Sequence, residues 1–295
     1  MGNSTQAHLE SERNELVQLN RHQASFYEAE GAGRGNLPTR LWRSMRGRMH
    51  RTRNAIGVGE FVYGLHREWL GDLTGKKVLD LGCYQGNYLS LEVAERAGSY
   101  LGIDLSRPAV DRLKVKLASK GLKHAEARAV DFLDPQFTES GFDVVYAYAV
   151  AHHFRHFVTF LKILSAKLAP GGMVITFDPM QTSLLTRIAR GAYRPFQSDK
   201  DWEWPFTKRT FGEIQKLFEI VAVQGVMVYT KWYLPLPFFS KRLAIKGGKK
   251  LFAKDLKKAS GIGPGLWGCM QVAMCWKKRP ITLPSAISAG SLSSE

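Results

Sequence analysis

The stretch Val78-Leu79-Asp80-Leu81-Gly82-Cys83-Tyr84-Gln85-Gly86-Asn87 decides the fold. Lys77 to Leu81 reads as a buried strand, the two glycines as a tight turn, and Tyr88 to Ala97 as the helix that follows. Glycine lets the backbone turn sharply and approach a ligand closely. A second strand, Tyr100 to Asp104, ends in an acid 24 residues after Asp80. A carboxylate at that place has two acceptor oxygens and can take both hydroxyls of a ribose. In sheets of this kind the nucleotide lies outside the carboxyl ends of the strands.

Working outward, strands and helices alternate. Ala109 to Lys120 is a helix stopped by Gly121, Ala125 to Val130 a third strand and Phe142 to Tyr148 a fourth. Phe157 to Leu168 is a helix, and Met173 to Phe177 is a fifth strand after the turn Pro170-Gly171-Gly172. Thr210 to Phe218 is helical, and Ile220 to Tyr229 and Trp267 to Trp276 are two closing strands. The pattern predicts an α/β fold, a seven-stranded, Rossmann-like, doubly wound sheet over residues 71–279. Residues 1–70 read as an N-terminal cap of short helices broken at Gly31 to Asn36, with a basic arm. That arm holds seven arginines from Arg34 to Arg53 and no acid between Glu30 and Glu60. Aromatic-rich insertions at 179–206 and 230–266 follow strands five and six and are expected to form a lid over an acceptor. Residues 280–295, rich in Ser and Ala, read as a disordered tail.

The spacing Gly82-x-x-x-Gly86, with Tyr84 in the middle and an acid two residues before the first glycine, departs from the G-x-G-x-x-G of dinucleotide sites. An acid beside a bare glycine turn suits a ligand with a cationic amine better than a diphosphate. S-adenosylmethionine is such a ligand.

Here the sequence resembles the class I S-adenosylmethionine-dependent methyltransferases, especially the small-molecule group with ubiquinone- and menaquinone-type enzymes. The resemblance rests on Asp80 to Gly86, on Gly102-Ile103-Asp104-Leu105-Ser106 and on Val130-Asp131-Phe132. Phe142-Asp143-Val144-Val145 with Ala151-His152-His153-Phe154, and Leu168-Ala169-Pro170-Gly171-Gly172, complete it. Tyr84 stands where a glycine is usual. The resemblance implies S-adenosyl-L-methionine as cofactor. Asp80, Gly82 and the Cys83 backbone would line its methionine, with Gly86 in the same turn. Asp104 would hold the ribose beside Leu105. Asp131 would bind the adenine amine beside Phe132, and the backbone at Ala149 would sit by the sulfonium. Read by itself, Asp131 is equally a helix N-cap.

Methyl transfer from a sulfonium is an in-line displacement, and alignment is the main contribution of the protein. A base is needed only if the acceptor must lose a proton. His152 and His153 follow the fourth strand, and an imidazole titrates near neutral pH. His152 is read as the base and His153 as a histidine of structural role. No metal ligands stand at metal spacing. Cys83, Cys269 and Cys275 read as buried cysteines, with Cys269 and Cys275 six apart on one strand and so on one side of it.

The chain has 295 residues, with 42 Lys and Arg against 26 Asp and Glu, for a net charge of +16. Such a surplus calls for an anionic partner. Three cysteines make no disulfide scaffold, which fits a reducing, cytoplasmic setting, and no stretch reaches the roughly 18 apolar residues of a membrane span. The aromatic insertions point to a small, apolar or lipid-like acceptor, and the lysines beyond them to peripheral contact with an anionic membrane. Nucleic acid is the rival partner, through the basic arm. A non-catalytic binding protein on the same fold is a third reading.

Overall fold

The computed structural model describes residues 2–30, 37–87, 89–196, 202–233, 236 and 239–279. The seven strands are β1 Lys77–Leu81, β2 Ser99–Asp104, β3 Ala125–Ala129, β4 Phe142–Tyr148, β5 Leu168–Pro179, β6 Phe218–Val226 and β7 Gln271–Lys278. They form one sheet in the order β3-β2-β1-β4-β5-β7-β6. The pairs from β3 through β5 are parallel, and β7 runs antiparallel to both β5 and β6. The inner strands are apolar on both faces, as central parallel strands are, and Val78, Leu79, Val144 and Val145 are wholly or almost wholly buried.

The helices that cover the sheet are α1 Gly2–Glu30, α2 Leu37–Ile56, α3 Val58–Leu70, α4 Ser90–Arg96, α5 Arg107–Ser119, α6 Phe157–Lys167, α7 Leu184–Tyr193, α8 Lys208–Leu217 and α9 Lys241–Lys258. In α3 the buried residues Val58, Val62, His66 and Leu70 recur every fourth position, the stripe expected of a helix laid on a sheet. The imidazole of His66 meets the Tyr146 hydroxyl at 3.2 Å. Burial lowers its pKa to about 3, so it stays neutral within that layer.

The doubly wound sheet matches the sequence expectation, and β1 and β4 match to the residue. Strands β6 and β7 are shifted from the expected Ile220 to Tyr229 and Trp267 to Trp276, with Leu266–Gly268 a 3-10 turn instead, and three further details differ. The cap consists of long helices, 29 residues in α1 and 20 in α2, because arginine is a good helix former and the basic arm is the body of α2. Strand β5 is longer than expected: Asp178 and Pro179 continue to pair with Val272 and Gln271 of β7, and the Pro170-Gly171-Gly172 segment is absorbed at a register shift against β4. Cys269 precedes β7 and lies in a different core cluster from Cys275, so the two do not share one side. The break at Gly31 to Asn36 and the tail at 280–295 lie outside the described residues.

Candidate functional site

The strand order reverses between β1 and β4, and a cavity of about 500 Å³ opens there, at the carboxyl ends of β1, β2, β3 and β4. Its floor is the turn after β1. Gly82 has φ 70°, and a Cβ on it would lie 2.6 Å from Val150 Cγ2, so only glycine fits. The amides of Gly82 and Cys83 both donate to the Ile103 carbonyl, at 2.8 and 3.0 Å, which locks the turn onto β2.

The carboxylate of Asp104 closes β2 at the cavity wall. One oxygen accepts the Tyr84 amide at 2.9 Å and the other the Ser106 amide at 2.8 Å. Burial pushes the carboxyl upward in pKa, and the amides of Ser106 and Tyr84 pull against it. Asp131 also lines the cavity. Its oxygens accept both contacts of the Asn20 amide nitrogen, at 2.9 and 3.0 Å, and one accepts the Leu133 amide at 2.9 Å. Burial raises the Asp131 carboxyl too, against the Leu133 and Asn20 hydrogen bonds.

Of the residues read from the sequence, Gly82, Cys83, Gly86, Asp104, Leu105, Asp131, Phe132 and Ala149 all line this one cavity, as does His153. Two do not. Asp80 lies beneath the floor, wholly buried, with Oδ2 accepting the Tyr100 hydroxyl at 2.7 Å; burial pushes its carboxyl up to about 6. His152 is 4% exposed and turned away from the cavity, its Nδ1 2.8 Å from Asp178 Oδ1. The place at the cavity expected of His152 is held by His153. Both sit in a 3-10 turn, Ala151–His153, where neighbouring side chains point about 120° apart, so one goes inward and the other to the cavity. His153 Nδ1 donates to the Trp202 carbonyl at 2.6 Å, which leaves Nε2 as the acceptor of its neutral ring.

No described residue of the two insertions lines the cavity. The first instead grips the histidine turn: besides Trp202, the Trp204 amide donates to the His152 carbonyl at 2.8 Å. Leu234 and Phe238 of the second lie outside the described residues. Sequence reasoning missed Asn20, Tyr148 and Asp178. Asp178 carried a signal, a third acid at a strand end beside those of β1 and β2. Asn20 carried none, since it comes from α1, 111 positions away from Asp131.

Residues 79–174 match the family described as "Methyltransferase domain". The chain is 29% identical to the cypemycin N-terminal methyltransferase of a Streptomyces species over 55% of its own length and 65% of that protein. It is also 29% identical to the demethylmenaquinone methyltransferase of Lactococcus lactis, over 39% of its length and 46% of that protein. The chain thus spans less than two thirds of either relative. Among solved structures it resembles a phosphoethanolamine N-methyltransferase of Haemonchus contortus in complex with phosphomonomethylethanolamine and S-adenosylhomocysteine. That likeness has a TM-score of 0.53 at 14% identity, over 75% of this chain and 52% of the other, and is one of fold. A cavity at the β1–β4 reversal, a glycine turn that excludes any Cβ, and a family match over the same strands agree: residues 79–174 carry a methyltransferase domain, on a fold that resembles the class I S-adenosylmethionine-dependent methyltransferases.

Proposed function

We propose that the protein transfers a methyl group from S-adenosylmethionine to a small, largely apolar or lipid-like acceptor. The carrying observation is Asp104, which lines the 500 Å³ cavity at the end of β2 with its two acceptor oxygens oriented by the Tyr84 and Ser106 amides. That is the donor–acceptor pattern a vicinal diol requires. The cavity volume falls within the usual range of about 300–1,000 Å³ for small-molecule sites. Asp131 keeps one lone pair after its three hydrogen bonds, enough for a single amine donor such as an adenine amino group. Leu105 and Phe132 supply apolar walls on either side.

When bound, the cofactor supplies an electrophilic methyl on a cationic sulfur, a leaving group that needs no proton. The chain then has to orient. Gly82 lets the turn approach closely, Asp104 and Asp131 fix the two ends of an adenosyl group, and Ala149, at φ 59°, turns the chain after β4 so that its backbone borders the cavity. His153 is the group placed to take a proton from an acceptor, through Nε2. The apolar content of the site and the small-molecule acceptors named for the relatives support an acceptor of this class; the acceptor atom follows from the acceptor itself.

Calorimetry with S-adenosylmethionine and S-adenosylhomocysteine tests the reading. Binding is expected with the native chain, and Asp104→Ala should weaken it about a hundredfold, the loss of two hydrogen bonds to a charged group. An unchanged affinity in Asp104→Ala sinks the assignment. Absence of binding by the native chain favours the non-catalytic alternative.

A further inference from the structure

Eleven large apolar side chains stand out as exposed among the described residues, and six of them belong to three neighbouring elements. Leu41 is on α2, Leu184 and Ile188 are on α7, Trp232 and Phe239 precede α9, and Leu243 is in its first turn. The elements are joined through α2. Gly248 of α9 lies so close to Ile56 of α2 that a Cβ would come within 2.3 Å of it, and α2 also packs on the turn Arg194–Phe196 that follows α7.

Helix α7 turns two apolar side chains outward among those described. Leu184 and Ile188, one turn apart on one face, are 71% and 60% exposed, whereas Thr186 is buried and Arg190 is turned inward, 3.7 Å from Glu203. A helix with its apolar face in water has something to gain by leaving water. Burial of a side chain of this size is worth roughly 1.5–3 kcal/mol.

The charge around these residues is one-sided. Helix α2 has no acid, and the single acid of α9, Asp255, is buried and accepts the amides of Tyr229 and Thr230. The exposed polar side chains of the pair include Arg40, Arg43 and Arg51 on α2 and Lys246, Lys249 and Lys250 on α9. A surface both apolar and basic fits a bilayer with anionic headgroups: the leucines and aromatics enter the acyl boundary while the cations stay among the phosphates. A nucleic acid backbone would engage the cations and leave the apolar residues in water. A second copy would set one basic face against another.

We infer that the α2–α9 pair, together with the outward face of α7 and the Phe239–Leu243 segment, docks the protein on an anionic lipid bilayer. The inference deepens the reading of a lipid-like acceptor, which such docking would bring to the cavity from the membrane. The test is co-sedimentation of the full chain with vesicles of phosphatidylcholine, alone or mixed with phosphatidylglycerol, at low and high salt. Binding is expected only to the mixed vesicles and should fall with salt. Lys249→Glu with Lys250→Glu should lower partitioning by about 25-fold or more, at about fivefold per lysine removed. Ile188→Ser with Phe239→Ser should also lower it, while calorimetric binding of S-adenosylhomocysteine stays at the native value. Equal binding to neutral vesicles, or none to either, overturns the inference. So does a salt-sensitive RNA shift without vesicle binding, or a dimer that Ile188→Ser dissolves. Vesicle binding by a chain that binds no S-adenosylhomocysteine supports the docking surface and sinks the cofactor reading alone.

Discussion

His152 and Asp178 form a closed pair inside the domain: Asp178 Oδ1 meets both the ring Nδ1 of His152, at 2.8 Å, and its backbone amide, at 3.1 Å. The carboxylate at the end of β5 thereby clasps the 3-10 turn that follows β4 and holds His153 at the cavity. Burial pushes the Asp178 carboxyl up to about 7. The pair fixes the turn, and His153 next to it lines the cavity.

Substitutions at the two histidines should therefore separate. His152→Ala is expected to cost about 2 kcal/mol of stability, the price of leaving a buried carboxyl without its partner. His153→Ala, at a half-buried position, should leave the melting temperature nearly unchanged and lower turnover instead. Urea denaturation and a methyl-transfer assay on both variants read this directly. A native turnover in His153→Ala with saturating acceptor removes the proposed base.

Asn20 anchors α1 to the cavity through Asp131. Asn20→Asp would set two carboxylates where a 3 Å amide–carboxylate contact stands now. At pH 8 the variant should release α1, seen as faster amide exchange around Leu16 and Val17, which are buried in the native fold. Near pH 5 one of the two acids regains a proton and the helix should return. A pH-independent exchange rate would show that Asn20 does not hold α1.

Tyr84 occupies the left-handed region at φ 49° with a side chain 51% exposed. A non-glycine residue pays roughly 1–2 kcal/mol there. Tyr84→Gly relieves that strain but gives up the packing of a half-buried ring and frees the unfolded chain, so it should lower stability by about 1 kcal/mol, while the amide still donates to Asp104. Chemical denaturation checks the sign.

Asp80 makes a pH prediction. Its folded pKa, about 6, lies above the ordinary value of 3.8. The unfolded chain releases this proton first as pH rises, so the group weakens the fold progressively between about pH 4 and pH 6 and by a constant amount above. The full span is on the order of 3 kcal/mol. Asp80→Asn, which mimics the protonated acid, should flatten the stability profile across that window and gain relative to the native chain at pH 8. Parallel slopes for the two proteins would contradict it.

The cavity was legible because the parts of its floor and wall are local. Gly82, Gly86 and Asp104 each sit in a strand and the turn directly after it, so strand ends in the sequence mark the cavity. What was hidden depends on long-range packing or on rotation. Adjacent histidines are equivalent on paper, and only the 3-10 turn sends His152 to Asp178 and His153 to the cavity. Asn20 arrives from another helix, and its hydrogen bonds leave no periodic trace. Trp202 and Trp204 of the first insertion reach the histidine turn by backbone groups, which any residue supplies.

The order of the sheet has a bearing on biosynthesis. Strand β7 comes after β6 in the chain yet lies between β5 and β6. While the ribosome is still holding the residues of β7, β5 presents an open rim and β6 has no neighbour to zip onto. The nascent domain is therefore stickiest late in translation, and it is in that interval that a chaperone has most to protect.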